Sequence, residues 1–117
     1  MPTFMLLLHQ SPSKFSNLSP EEIQQIIARY KAWREELLSR NQLRGGEKLT
    51  NDGGRRLRLR GGQMSVTDGP YSEAAEVLGG YFAIEAGSYD EAVEIARTCP
   101  HLTGDQWIEV RQVDAIR

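Results

Sequence analysis

Three ionisable side chains in this sequence have the chemistry to move protons: Asp68, His9 and His101. Asp68 opens an Asp-Gly-Pro turn, where a carboxylate at a strand end can act as a general acid or base. An imidazole titrates near pH ~6.5, so either histidine could share a proton with it. The sequence also allows an ordinary structural explanation, because aspartate is a common turn residue and histidines often end strands or stabilise loops.

Residues beside Asp68 and a separate group of arginines are candidates for ligand contacts. Gly69, Pro70 and Tyr71 follow Asp68 directly, and an aromatic ring after a turn can form the wall of a pocket. Residues 40–60 carry seven basic and two acidic side chains, a charge of +5 in a chain of net charge -2, which leaves -7 for the remainder. Arg58 lies inside this basic segment and could bind a small anion. The alternative is a solvated hairpin whose charges prevent edge pairing.

Several functional classes are disfavoured by composition. The net charge of -2 and the lack of aromatic residues between the arginines argue against nucleic-acid binding. The single cysteine, Cys99, cannot form an internal disulfide or build a zinc site, and no cofactor motif or metal-ligand spacing is present. The apolar residues 1–8 lack a basic start, and no run approaches the ~18 apolar residues of a membrane span. We therefore expect a cytoplasmic protein without cofactor or metal.

The 117 residues are enough for one domain, which we expect to span 1–117. Two Ser-x-x-Glu capping boxes, at 19–22 and 88–91, each precede helical apolar spacing. Hydrophobic periodicity and turn residues predict a strand at 3–9, a helix from Ser19 to about Arg40, a short strand at 47–49 and a hairpin at 55–67. Two further strands are predicted at 77–85 and 107–111, with the second helix between them in sequence. Two helices on one side of a mainly antiparallel sheet predict an α+β sandwich of the ferredoxin-like kind.

The most specific pattern is TDGPYSE at residues 67–73, followed by EVLGGYF at 76–82. This pattern resembles the DGPF branch of the YCII-related family, with tyrosine where that motif has phenylalanine. Shorter matches occur in the same order as in that family: SPEE at 19–22, LRGG at 43–46, DEA at 90–92, CPHL at 99–102 and IEVR at 108–111. The resemblance therefore covers nearly the whole chain.

The resemblance implies a ferredoxin-like fold that pairs into a dimeric α/β barrel. It also implies small acid–base enzymes among the relatives, including a dehydrochlorinase of aromatic degradation, for which an Asp–His pair has been proposed as the active site. Genes of the DGPF branch often lie beside those of extracytoplasmic-function sigma factors.

These observations lead to one preferred function and one alternative. We expect an isomerase- or lyase-like enzyme that uses Asp68 in acid–base chemistry on a small anionic compound. The alternative is a non-catalytic ligand-binding or regulatory module linked to a sigma-factor system. In both cases we expect a homodimer, because helices on one face of a small sheet leave its other face open.

Overall fold

Within residues 1–13, 16–69 and 76–116, the part of the chain that the computed structural model describes, two helices cover one face of a four-stranded antiparallel sheet. The elements are β1 (Thr3–Gln10), α1 (Pro20–Ser39), β2 (Leu43–Lys48), β3 (Arg55–Arg60), β4 (Gln63–Asp68), β5 (Val77–Glu85), α2 (Tyr89–Arg97) and β6 (Trp107–Gln112). The sheet order is β2-β5-β1-β6, and β3 pairs only with β4. The predicted α+β class is confirmed, and this order is compatible with a ferredoxin-like fold.

The central strand β1 separates a packed face of the sheet from an open one. Its side chains alternate in burial, as strand geometry requires: Phe4, Leu6 and Leu8 are buried beneath the helices. The intervening residues, such as Leu7 and His9, are half-buried and point to the opposite face. In the described residues, no helix covers that opposite face, which we call the open face.

Helix α1 begins as its capping box predicts. The Ser19 hydroxyl accepts a hydrogen bond from the Glu22 amide at 3.1 Å, and the Glu22 carboxylate accepts one from the Ser19 amide at 3.2 Å. Its apolar stripe buries Trp33 and Leu37 against the sheet. The helix ends at Ser39, because Asn41 adopts a left-handed φ of 57° that no helix can continue through.

Strand β2 is longer than its sequence predicted. It begins at Leu43 rather than at residue 47 and includes Gly45 and Gly46, a glycine pair that closely follows helix α1. An added Cβ at Gly46 would lie 2.5 Å from the Phe82 ring and 2.7 Å from the Tyr81 carbonyl oxygen. Gly46 is therefore required by the close approach of β5, not by the helix end.

The β3–β4 hairpin projects from the sandwich, and we call it the arm. Each strand has six residues, joined by a turn in which Gly61 and Gly62 both have positive φ, as a two-residue hairpin turn requires. Its predicted alternation is confirmed, since Leu57 pairs with Val66 and Leu59 with Met64. Neither described helix has the length and apolar character needed to cross a membrane.

Candidate functional site

The only histidine of this chain that is fully buried, His101, lies under the sheet on the helix side and bonds to α1. Its Nδ1 lies 3.0 Å from the Tyr30 hydroxyl, and its Nε2 lies 2.8 Å from the His9 carbonyl oxygen. A third bond, from the Gln106 side-chain amide to the His101 carbonyl oxygen at 2.8 Å, fixes the surrounding loop. The ring is therefore held in one orientation against Tyr30.

These partners assign the tautomer of neutral His101. A carbonyl oxygen only accepts, so Nε2 carries the proton and donates a hydrogen bond to the His9 carbonyl oxygen. Nδ1 is then unprotonated and accepts a hydrogen bond from the Tyr30 hydroxyl. Burial raises the pKa of Tyr30 well above its ordinary value, with a smaller contribution from Cys99. Tyr30 is consequently a neutral donor whose oxygen faces an acceptor nitrogen.

Tyr30 and His101 line a cavity between α1 and the packed face of the sheet, which we call the helix-side cavity. Its volume is about 480 Å³, within the range of small-molecule sites. Leu8, Ile27 and Phe82 give it apolar walls. Gly79 also lines the cavity, and an added Cβ there would collide with the side chain of Gln10. Glycine at this position therefore allows the Gln10 side chain to lie directly against the backbone of β5.

The rim of the helix-side cavity has an excess of positive charge. Lys31 and Arg34 lie one turn apart on α1, and Lys48 comes from the end of β2. Glu47 is the one acidic residue among the described lining residues, but its register opposite Tyr81 places its carboxylate on the open face, so that carboxylate does not add to the charge of this rim. An apolar cavity with cationic groups at its rim suits a small ring compound that carries a carboxylate or a similar anion.

Asp68, the residue on which sequence analysis centred the chemistry, lies at the end of β4 on the arm. Its side chain is 84% exposed, and its carboxylate oxygen lies 3.2 Å from Nε of Arg55, its cross-strand neighbour. Within the described residues, this arginine is the polar partner of Asp68, and neither histidine bonds to it. An exposed pair of this kind contributes little to stability.

His9 lies on the open face, separated from His101 by the sheet itself. Its Nε2 lies 3.2 Å from a Glu109 oxygen, and its ring stacks on Trp107 with centroids 4.1 Å apart. Hydrogen bonds from Arg111 and then His9 hold the pKa of the Glu109 carboxyl below its usual range. His9 also lines a second cavity of about 730 Å³, shared with Arg55 and Arg56, which we call the hairpin-side cavity.

The remaining predicted ligand residues are spread over the arm and beyond. Gly69 is buried where a Cβ would lie 2.7 Å from the Gly53 carbonyl oxygen, so its role in the structure is a close approach. Arg58 is exposed in the middle of β3, opposite Ser65. Pro70 and Tyr71 lie outside the described residues.

Sequence analysis missed the pairing of Tyr30 with His101. Tyr30 lies three residues before Trp33 in the apolar stripe of α1 and packs against the core. A tyrosine in such a stripe brings a hydroxyl that needs a partner, and this is the only local signal for a site. The partner is 71 residues away in sequence, so only the fold reveals it. In the described chain, no group of three His, Cys, Asp or Glu side chains is placed to hold a metal ion.

Fold and cavity together define a small α+β domain with one apolar, cation-rimmed cavity between a helix and its sheet. The model of the YCII-related domain matches residues 3–116. The chain therefore belongs to the YCII-related family, as its motifs indicated. No curated protein matches it significantly.

Proposed function

We propose that this protein is a small-molecule enzyme of acid–base type whose reaction takes place in the helix-side cavity. The observation that carries the proposal is the hydrogen bond between Tyr30 and His101 at the wall of an apolar cavity. A titratable pair held in fixed geometry inside a concave site is the arrangement that proton transfer requires.

The pair can work as a proton relay. When a bound substrate gives a proton to the Tyr30 oxygen, Tyr30 passes its own proton to Nδ1 of His101. Tyrosinate does not accumulate, which agrees with the pKa of Tyr30 being raised by burial. The imidazolium that forms keeps its bond to the His9 carbonyl oxygen through Nε2. Return of the proton to another atom of the substrate would complete an isomerisation, and loss of a leaving group would complete an elimination.

The cavity limits the class of substrate. Its apolar walls favour a ring or a short hydrocarbon framework, and Lys31 and Arg34 favour an anionic group at the rim. We therefore propose a small ring compound bearing a carboxylate, with an acidic C–H or O–H directed at Tyr30. This agrees with the small anionic ligand expected from the sequence.

Deuterium exchange tests the proposal without knowledge of the natural reaction. A panel of small cyclic carboxylic acids with acidic C–H bonds is incubated with the protein in D₂O, and proton NMR follows the loss of C–H signal. The wild type should catalyse exchange of at least one compound. Tyr30→Phe should slow it by roughly 100-fold or more, since positioned acid–base groups contribute ~10²–10⁴-fold. Exchange that survives Tyr30→Phe unchanged would refute the relay.

Asp68 is a second candidate for proton transfer, as sequence analysis proposed. Asp68→Asn preserves shape and removes the charge, and the exposed ion pair with Arg55 contributes little to folding. If Asp68 carries the chemistry, this variant loses exchange while Tyr30→Phe retains it. The relay predicts the opposite pattern, so the two variants serve as each other's controls.

The alternative function is a non-catalytic ligand-binding or regulatory module of a sigma-factor system. It is supported by the same cavity, since apolar walls and a cationic rim bind ligands whether or not protons move. It predicts that ligands bind, that no compound exchanges, and that Tyr30→Phe alters affinity alone.

We also propose that the chain is a cytoplasmic member of the DGPF branch and a homodimer of the dimeric α/β barrel kind. The TDGPYSE sequence supports the branch, and a chain with a single, buried cysteine, Cys99, agrees with a reducing compartment. The open face supports the dimer, because half-buried residues such as Leu7 and Tyr81 lie on it without a covering helix in the described chain. Sedimentation at micromolar concentration tests the dimer.

A further inference from the structure

The arm has one face made of apolar side chains that are exposed to solvent. Leu57, Leu59, Met64 and Val66 are each between 59% and 66% exposed. Because Leu57 pairs with Val66 and Leu59 with Met64, all four lie on the same side of the ribbon. The other side carries Arg58 between two further arginines. We call the four-residue surface the apolar arm face.

The arm has little support from the rest of its own chain. In the part of the chain that is described, β3 and β4 form a separate two-stranded sheet and do not join the four-stranded one. A two-stranded hairpin alone is at best marginally stable in water, and it is stabilised by packing an apolar face against another surface. Among the residues that the structure describes, nothing therefore provides the apolar arm face with the cover that would stabilise it.

We propose that the apolar arm face packs against a second copy of this chain, so that in a dimer each arm contacts the other copy. Charge complementarity favours this occupant. The arm, residues 55–68, carries four arginines and one aspartate, a charge of +3, whereas the remainder of the chain carries -5. The basic arm of one copy is thus attracted to the acidic body of another.

The open face of the sheet carries the complementary groups. The strand register aligns Glu109, Leu7, Tyr81 and Glu47 in one row across the sheet, an apolar centre with a carboxylate at each side. In the proposed dimer, a two-fold axis covers the open faces and places each arm on the partner's body. Stable interfaces bury roughly 800 Å² per partner, and four side chains alone do not supply that area. The apolar arm face and the open face therefore act as one continuous interface.

A matched pair of double variants tests this proposal, which rests on the homodimer proposed above. Leu59→Thr/Met64→Thr removes one cross-strand pair from the apolar arm face. The control, Gln63→Thr/Ser65→Thr, changes two residues of β4 on the opposite face of the same ribbon. Threonine has high β-propensity, so both variants keep the hairpin. Sedimentation equilibrium gives the dimer dissociation constant, and circular dichroism verifies the fold.

The proposal predicts that the dimer dissociation constant of Leu59→Thr/Met64→Thr is at least about 100-fold higher than that of the wild type, because each of the two arms loses two apolar side chains. The control should remain within about threefold of the wild type. A wild type that is monomeric at about 100 μM overturns the homodimer and the proposed arm contact together. A dimeric wild type whose dissociation constant is unchanged in Leu59→Thr/Met64→Thr overturns the arm contact and leaves the homodimer standing.

Discussion

Replacing His101 by alanine should destabilise the protein more than any exposed substitution. The side chain is fully buried, and its hydrogen bonds include those with the Tyr30 hydroxyl at 3.0 Å and the His9 carbonyl oxygen at 2.8 Å. A buried polar group that loses its partner costs about 1–3 kcal/mol, and removal of the ring adds the cost of a cavity. The expected loss is about 3–5 kcal/mol of the free energy of unfolding, a large part of the ~5–15 kcal/mol of a typical domain.

Urea denaturation followed by circular dichroism measures this loss. With a slope near 2 kcal/mol per molar urea, typical of small domains, the midpoint should fall by roughly 2 M. His9→Ala is the matched control, because His9 is partly exposed and its Glu109 bond lies on the open face. It should cost about 1 kcal/mol. A loss below about 1 kcal/mol in His101→Ala would show that His101 is not the anchor the structure indicates.

Two further predictions concern the sheet. Gly46→Ala should lower the free energy of unfolding by about 2 kcal/mol or more in the same urea assay, since its Cβ would meet the Phe82 ring at 2.5 Å; a neutral effect would contradict the close approach. The pKa of the Glu109 carboxyl is lower in the folded protein than in the unfolded chain. Ionised Glu109 therefore stabilises the fold at pH values above its unfolded-state pKa, and this stabilisation is lost as the pH falls through its folded-state pKa. The stability difference between wild type and Glu109→Gln should therefore shrink between about pH 5 and about pH 3, and a constant difference would refute the pairing.

The fold was largely predictable from local signals. The capping box of Ser19 and Glu22 predicts where α1 begins. The alternating apolar residues of β1 and β5 predict strands with one buried face. The position of β2 was not predictable, because Gly46 is required by Phe82, a residue distant in sequence. A glycine pair after a helix has the same local appearance whether it ends the helix or lies under another strand.

The candidate site was predictable only in part. Acid–base chemistry and His101, as a candidate partner of Asp68, were expected from the sequence, but Tyr30 was missed because its partner is known only after folding. Asp68 was singled out for its motif, yet its surroundings, an exposed side chain and Arg55, depend on the register of the arm. The charge at the cavity rim likewise arises where α1 passes the end of β2, which no spacing in the sequence reveals.

The most direct test of the account is to locate a bound anion by NMR. Benzoate, a small ring carboxylate, is titrated into the ¹⁵N-labelled protein, and amide shift changes are mapped onto the fold. The account predicts that the largest changes lie around the helix-side cavity, at Tyr30, Gly80 and His101. Changes centred instead on His9 and Arg55, at the hairpin-side cavity, would contradict it, as would the absence of any saturable change.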